Sequence, residues 1–428
     1  MISKNILKPN FVYSDEYGNS ISRSEMCDLI DRWKYVLLSY GAERGNSLGI
    51  SLVRVNPNHV ALVIAAGELG MKLILLDKPV LEDTIDRTKA AIFSPIDFHV
   101  VDEYLEENTA YMKMVEAYCK INIRENAINL VTNKVPEIIP STEDDVYLCG
   151  STSGTTGIPK PVYYTQKDCY DLAIRNARVF DFKQDSKICH TRNMHHVSSM
   201  LTFLLPSLLT SDRHYYYNIY NDTANFPRFM QQEHITHSFF GSKFVVDDFV
   251  ANTSTPFETT IKINLSGFTI PENYVDICKN LNVEFYSHYG SVDTGVPLLL
   301  NKVTKDSIYQ KDWLGKKPDD YYDIDVMYDG ILVKIPGKGY NMVHDNVEEI
   351  DGTWYLNTRR ETNPYESGLR EETNIDLNIY DKHIVIWDDK PDLNFQHPGY
   401  KIHYLDKKTW TTETKINVYQ LRGYLNKL

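Results

Sequence analysis

The chain has 428 residues, 42% hydrophobic and 24% charged, with a formal net charge of −13 at pH 7. That length predicts about three packed subdomains around a sizeable core, and the composition excludes wholesale disorder. The acidic balance excludes a nucleic-acid backbone as main partner but leaves room for a small anion in a local pocket.

In chain order, Phe11–Asp15 reads as a strand, and Leu29, Ile30, Trp33, Val36 and Leu37 recur at helical spacing just after it. Ser47–Val53 is a short apolar strand. Asn56-Pro57 then offers an N-cap and a first-turn proline for a helix over His59–Gly70, and Met71–Asp77 is another apolar run. Continuous apolar strands alternating with helices predict a buried parallel sheet. Residues 81–140 are more polar, with one further αβ unit expected around Ala90–Ser94 and Phe98–Asp102. Between 142 and 165 lie a strand, a Ser/Thr/Gly loop and a second strand; Thr165 and Asp168 then have capping-box spacing. The alternation resumes from 185 to 290, with strands at Lys187–Asn193, Arg213–Tyr220, His234–Phe240, Ile261–Gly267 and Asn282–Gly290. Helices are expected over Ser198–Leu209, near Phe226–Glu233 and over Val275–Leu281. From 296 to 360 short strands and turns predict a small β subdomain. The fold expected is α/β: two αβ subdomains with mostly parallel sheets (about 1–180 and 181–295), the β subdomain (296–360), and a reduced C-terminal element over 361–428.

The six cysteines form no C-x-x-C pair and no zinc-type cluster, which reads as free buried thiols in a reducing compartment. The N-terminus lacks an apolar h-region, and no apolar run is long enough for a membrane span. A cytoplasmic protein with no membrane span is expected.

The informative segment is Ser151, Thr152, Ser153, Gly154, Thr155, Thr156, Gly157, Ile158, Pro159 and Lys160. Glycines let consecutive backbone N–H groups close on an anion; the hydroxyls add donors, and Lys160 adds a point charge. A phosphate grip follows, and the Walker pattern does not fit. The competing reading of a bare Ser/Thr run is a solvated linker.

This string resembles the phosphate loop of the adenylate-forming superfamily of acyl-CoA synthetases, peptide-synthetase adenylation domains and beetle luciferases. Weaker motifs follow in that family's order over about 1–360. Asn193–Ser199 places His196, after His195, where the family sets a histidine beside the substrate carboxylate. Peptide-synthetase domains usually carry an Asp there for an α-amine, and its absence disfavours an α-amino acid. Leu265–Phe268 resembles the strand end bordering adenine, with Gly267 kept and Phe268 in place of a second glycine. Tyr286–Asp293 resembles Tyr-Gly-x-Thr-Glu. There His288, Tyr289 and Gly290 border the base with the Tyr289 ring stacked on it, and Asp293 takes the metal-binding Glu position for Mg²⁺. Val292 replaces the threonine that would touch the α-phosphate. Asp345 is implied as the ribose acceptor, with His344 in place of a glycine, and Arg359 and Glu361 match the arginine and hinge acid. The bland alternatives are an ordinary turn at 265–268 and a plain hairpin at 351–361.

The resemblance implies ATP, Mg²⁺ and an acid substrate, with coenzyme A or a phosphopantetheinyl carrier as acceptor. Lys160, His196 and Asp293 are the catalytic candidates. After Glu361 the match fades. Lys415–Leu421 looks like the helix start after the hinge, and no Pro-x-x-x-x-Gly-Lys string supplies the adenylation lysine. Loss of that cation leaves a catalytically weak nucleotide-binding or regulatory homologue as the alternative.

Overall fold

The structure, a computed structural model, describes residues 1–51, 57–75, 95–101, 117–122, 139–151, 161–191, 196–219, 222–241, 243–267, 269–295, 297–327, 330–343, 345–359 and short strands at 377–380, 383–386, 401–404, 411–412 and 415–416. In chain order, β1 (Val12–Ser14) and β2 (Ser20–Ser22) precede α1 (Arg23–Ser39), and β3 (Ser47–Ser51), α2 (Pro57–Glu68) and β4 (Lys72–Leu75) follow. Next come β5 (Ile96–Val101), β6 (Ala117–Asn122), β7 (Val146–Ser151), β8 (Pro161–Thr165) and α3 (Gln166–Val179). Then β9 (Lys187–His190), α4 (197–210), β10 (Arg213–Tyr216), α5 (Phe226–Gln232), β11 (His237–Phe240), α6 (Lys243–Ala251) and β12 (Ile261–Ser266) alternate. The series continues through α7 (Asn273–Leu281), β13 (Val283–Tyr289) and β14 (Leu299–Val303).

One six-stranded sheet has the order β6-β5-β3-β4-β7-β8, parallel except for β8. An eight-stranded sheet runs β14-β13-β12-β11-β9-β10-β1-β2, with only the outer strands β14 and β2 antiparallel to their neighbours. The mixed α/β architecture with mostly parallel sheets is therefore present. Two pairings depart from the linear division at 180 and 295: β1 and β2 lie in the larger sheet, and so does β14. The small β region holds β15 (Trp313–Gly315), β16 (Asp323–Met327), β17 (Gly330–Ile335), β18 (Gly339–Val343), β19 (Asp345–Ile350) and β20 (Thr353–Arg359) in two three-stranded sheets.

Local chemistry accounts for the helix starts. Ser22 and Glu25 form a capping box at α1, and Thr165 and Asp168 form the expected one at α3. α2 begins at Pro57 and is buried from Val60 to Ala66, a stretch that is apolar on every side; Asn56 lies outside the described residues. The helix expected over Ser198–Leu209 widens into a π turn at Met200–Leu204, where the Leu205 N–H reaches the Met200 carbonyl. Pro206 follows at once. Its ring disfavours an ordinary α turn against the carbonyl four residues back, and the wider turn accommodates it.

The β region is bolted to α3. Arg175, 4% exposed, makes a bidentate pair with Asp319 (Nε–Oδ2 2.8 Å, Nη2–Oδ1 2.9 Å) while lying over the rings of Tyr321 and Tyr322. Lys338 reaches Asp168 at 2.8 Å and the Tyr163 carbonyl at 3.1 Å.

At the centre of the larger sheet, buried His190 and His214 stack at 5.6 Å, with Nε2 of the first 3.3 Å from Nδ1 of the second. Burial holds His214 down to about 4 and His190 well below its ordinary value. Both are therefore neutral in the fold, whereas the unfolded chain protonates them near pH 6.5. Their stabilising contribution is complete above that pH and is lost as pH falls toward 4. We expect Tm to drop between pH 6.5 and 4.5, and the H190L/H214L double variant to drop less steeply. Parallel curves would show that the pair does not govern the acid limb.

Among the described residues no helix is long and apolar enough to cross a membrane. Cys149 and Cys278 are buried, and burial pushes both thiols up to about 12. In the tail, Lys415–Ile416 pairs with Thr411–Thr412 as a short strand, so the helix-start reading fails at its first two residues. His344, Glu361 and 417–428 lie outside the described residues.

Candidate active site

Four of the motifs singled out above lie at or follow the carboxyl ends of strands in the two large sheets: β7 delivers Ser151, β9 precedes His196, Gly267 follows β12, and β13 ends at Tyr289 just before Gly290. Asp345 and Arg359 lie instead in the antiparallel pair β19–β20. In mostly parallel sheets the strand ends form the crevice where ligands bind. Thr152 to Lys160 lie outside the described residues, but their flanks do not: Ser151 pairs with Pro161 across β7 and β8, so the loop closes a hairpin.

Gly150, one residue before that loop, is the point of convergence. A methyl group there would lie 2.2 Å from Val197 Cγ2 and 3.4 Å from Val292 Cγ1. Val197 follows His196, the half-buried residue that opens α4. Val292 precedes Asp293. One missing side chain thus lets the loop entrance, the histidine motif and the acidic turn close on one another. Sequence reasoning overlooked Gly150, although a glycine inside a strand is a known mark of close approach.

Asp293 sits half-buried in a single 3-10 turn, Val292–Thr294, closed by Gly295 in the left-handed conformation (φ 69°). Two tyrosines fix the turn from outside: the Tyr164 hydroxyl donates to the Val292 carbonyl and the Tyr322 hydroxyl to the Thr294 carbonyl. Burial, reinforced by nearby groups that include Asp293, raises the Tyr164 phenol well above its ordinary range, so it remains a donor. Tyr164 belongs to the strand leaving the glycine-rich loop, and Tyr322 is one of the rings beneath Arg175.

The Tyr289 hydroxyl donates to Asp345 Oδ2 at 2.6 Å. This joins the larger sheet to the β region through two residues expected to flank a nucleoside. Ser266 is in register with His288, so Gly267 lies level with Tyr289. Gly267 has φ +90°, and a methyl group there would meet none of the described residues within 4 Å. Arg359 is the backbone partner of Asp345. Phe268 lies outside the described residues. His288 needs a correction: its ring is buried on the other face of β13, stacked on Phe239 at 6.2 Å and edge-on to Phe180 at 5.6 Å. Strand alternation separates it from Tyr289, so the two side chains leave opposite faces of the sheet.

Among the described residues, no group of three or more His, Cys, Asp or Glu side chains is placed to hold a metal. Asp293 is a single half-buried carboxylate, the kind of oxygen donor that a hard cation takes.

The AMP-binding enzyme family matches residues 7–316. The chain belongs to that family. No curated protein sequence matches it. Among solved structures, O-succinylbenzoate coenzyme A synthetase (MenE) from Bacillus subtilis, in complex with ATP and magnesium ion, superposes with a TM-score of 0.72 at 18% identity, covering 98% of both chains. A Mycobacterium tuberculosis fatty acyl CoA synthetase gives 0.73 at 14% identity, covering 96% of this chain and 94% of the other. The N-terminal domain of FACL13 from the same organism gives 0.69 at 16% identity, with 83% and 97% covered. At these identities the likeness is one of fold, and this AMP-binding enzyme has the fold those structures share.

For the AMP-binding enzyme, Tyr289→Phe tests the link to Asp345. The change keeps the ring and removes one charge-assisted hydrogen bond, worth roughly 1.5–3 kcal/mol. ATP affinity, measured by calorimetry, is expected to fall about tenfold. Unchanged affinity would show that the hydroxyl does not order the nucleoside site.

Proposed function

We propose that this AMP-binding enzyme activates a carboxylic acid with ATP and then passes the acyl group to a thiol, either coenzyme A or a phosphopantetheinyl carrier. The observation that carries this reading is the convergence at Gly150 of the loop entrance, the helix opened by His196 and the turn bearing Asp293, with Tyr289 and Asp345 joined alongside.

In the first step an oxygen of the acid attacks the α-phosphorus. A new P–O bond forms, the bond to the bridging oxygen of the β-phosphate breaks, and pyrophosphate leaves. In the second step the thiol sulfur bonds to the acyl carbon, the C–O bond to AMP breaks, and the thiol proton is released. Lys160 and the N–H groups of 151–157 would grip the phosphates. His196 would hold the acid carboxylate. Tyr289, Gly290, Gly267, Asp345 and Arg359 would bind the nucleoside. When bound, Mg²⁺ supplies positive charge at the phosphates, with Asp293 among its ligands. Residues 1–360 would form the adenylate-forming unit and 361–428 a reduced second one, working in the cytoplasm where ATP and reduced thiols are supplied.

A second reading, a nucleotide-binding homologue with weak catalysis, draws on Val292. Its side chain packs toward Gly150 and offers no hydroxyl to a phosphate. ATP–pyrophosphate exchange with pooled carboxylic acids, with and without Mg²⁺, separates the two. Metal-dependent exchange supports acid activation. ATP binding without exchange supports the second reading.

A further inference from the structure

The face of the larger sheet that lies beneath α4 holds a buried amide with no hydrogen-bond partner among the described residues. In β12, Ile263 and Leu265 pack into the cluster containing Phe240 and Phe285, so Asn264 between them faces the other way. On that side it stands in register between Phe239 and Tyr286, both members of an aromatic layer with Phe180, Phe182 and Phe203. Asn264 is 0% exposed, and neither its amide nitrogen nor its amide oxygen has a partner among the described residues. A buried amide in that state is destabilising, and a leucine of similar size would fill the same space without the loss.

The opposite wall repeats the pattern. Ser199 lies four residues before Phe203, hence on the same side of α4, and Phe203 stacks on Phe239 at 5.7 Å. The Ser199 hydroxyl is also fully buried without a partner among the described residues. It is three residues from His196, the proposed carboxylate contact. Ser199 on the helix and Asn264 on the sheet thus flank the Phe203–Phe239 stack from its two sides, on the face toward which a molecule held by His196 would extend. Beyond them the way is filled: Phe203, Phe182 and His237 meet edge to face at 5.0–5.4 Å. The one ammonium in that row of β12, Lys262, is already paired with Asp181. Lys302, over the Tyr286 ring, is paired with Glu284, so neither ammonium is spare for a second carboxylate.

We propose that the acid is short and carries a neutral hydrogen-bonding substituent, a hydroxyl, oxo or amide group, which is read by the Asn264 amide and the Ser199 hydroxyl. This rests on the acid-activating reading above and narrows it to a substrate class. Asn264 is then a specificity-determining residue, because a site built to bond a polar group discriminates against the analogue that lacks it.

The test is ATP–pyrophosphate exchange on the full chain with butanoate, 3-hydroxybutanoate, 4-hydroxybutanoate, 4-oxopentanoate and hexadecanoate. At least one hydroxy or oxo acid is expected to exceed butanoate tenfold or more in kcat/KM, with no exchange on hexadecanoate. In N264L that advantage is expected to vanish while the KM for ATP stays unchanged and Tm does not fall. S199A should reduce the advantage without abolishing it. A preference for butanoate or hexadecanoate in the wild-type enzyme, or an unaltered acid ranking in N264L, overturns this inference and leaves acid activation standing. No exchange with any acid, pooled or single, removes acid activation and this inference with it.

Discussion

Asp293→Asn is expected to lower Mg²⁺-dependent ATP–pyrophosphate exchange about 100-fold, the usual cost of removing one preorganised electrostatic group from an active site. The substitution preserves shape and removes a charge. The turn itself should survive, because it is held by the Tyr164 and Tyr322 hydroxyls through backbone carbonyls that the change does not touch. The loss should appear in kcat and in the Mg²⁺ concentration needed for half-maximal rate, while affinity for metal-free ATP stays close to wild type. Full activity at ordinary Mg²⁺ would remove Asp293 from the metal site. A comparable fall in Lys160→Ala, with no shift in Mg²⁺ dependence, would separate phosphate charge supplied by the loop from that supplied through the metal.

The second large effect is expected at Gly150. A valine there puts branched carbon where Val197 already stands within 2.2 Å of the first added atom, and Val197 is itself stiff. Overpacking of this kind typically costs about 1–3 kcal/mol in stability. The functional cost should be larger, because relief requires moving the helix that His196 opens, the turn that bears Asp293, or the strand that feeds the loop. Displacement of reacting groups by about 1 Å can cost around 100-fold in rate. We expect G150V to lose exchange activity by that order while remaining folded, and V197A to restore part of it. If V197A restores nothing, the two side chains are not the coupled pair that the geometry indicates.

The sequence made the αβ alternation legible because its strands are apolar throughout and its helices carry clear caps, as at Thr165 and Asp168. It also marked the segments from which Tyr289, Asp293 and Asp345 come. Their mutual placement was not legible: the Tyr289–Asp345 bond spans 56 positions in the chain and depends on how the β region docks. That docking runs through Arg175 and Asp319, two ordinary surface-type residues whose pairing has no local signal. Strand β14 falls within the 296–360 stretch read as the β region, yet it pairs with β13 as an antiparallel edge strand. His288 was misplaced for a simpler reason. A motif was taken as a block, although alternate strand residues face opposite ways, and the ring turned toward Phe239.

The position of β1 has a consequence for how the protein is made. Its three residues pair in parallel with β10, near residue 213, and the backbone N–H of Ile2 is bonded to the side chain of Gln166. Strand β1 therefore lacks its parallel partner until β10, about 200 residues further on, has been made. At a synthesis rate of about 5–20 residues per second, that wait is on the order of 10–40 s. During it Phe11 and Tyr13, both almost fully enclosed in the finished molecule, remain uncovered. Docking of β1 on the larger sheet is thus timed by the emergence of β10, and the segment around Phe11 is a natural client for whatever shields apolar segments on the ribosome.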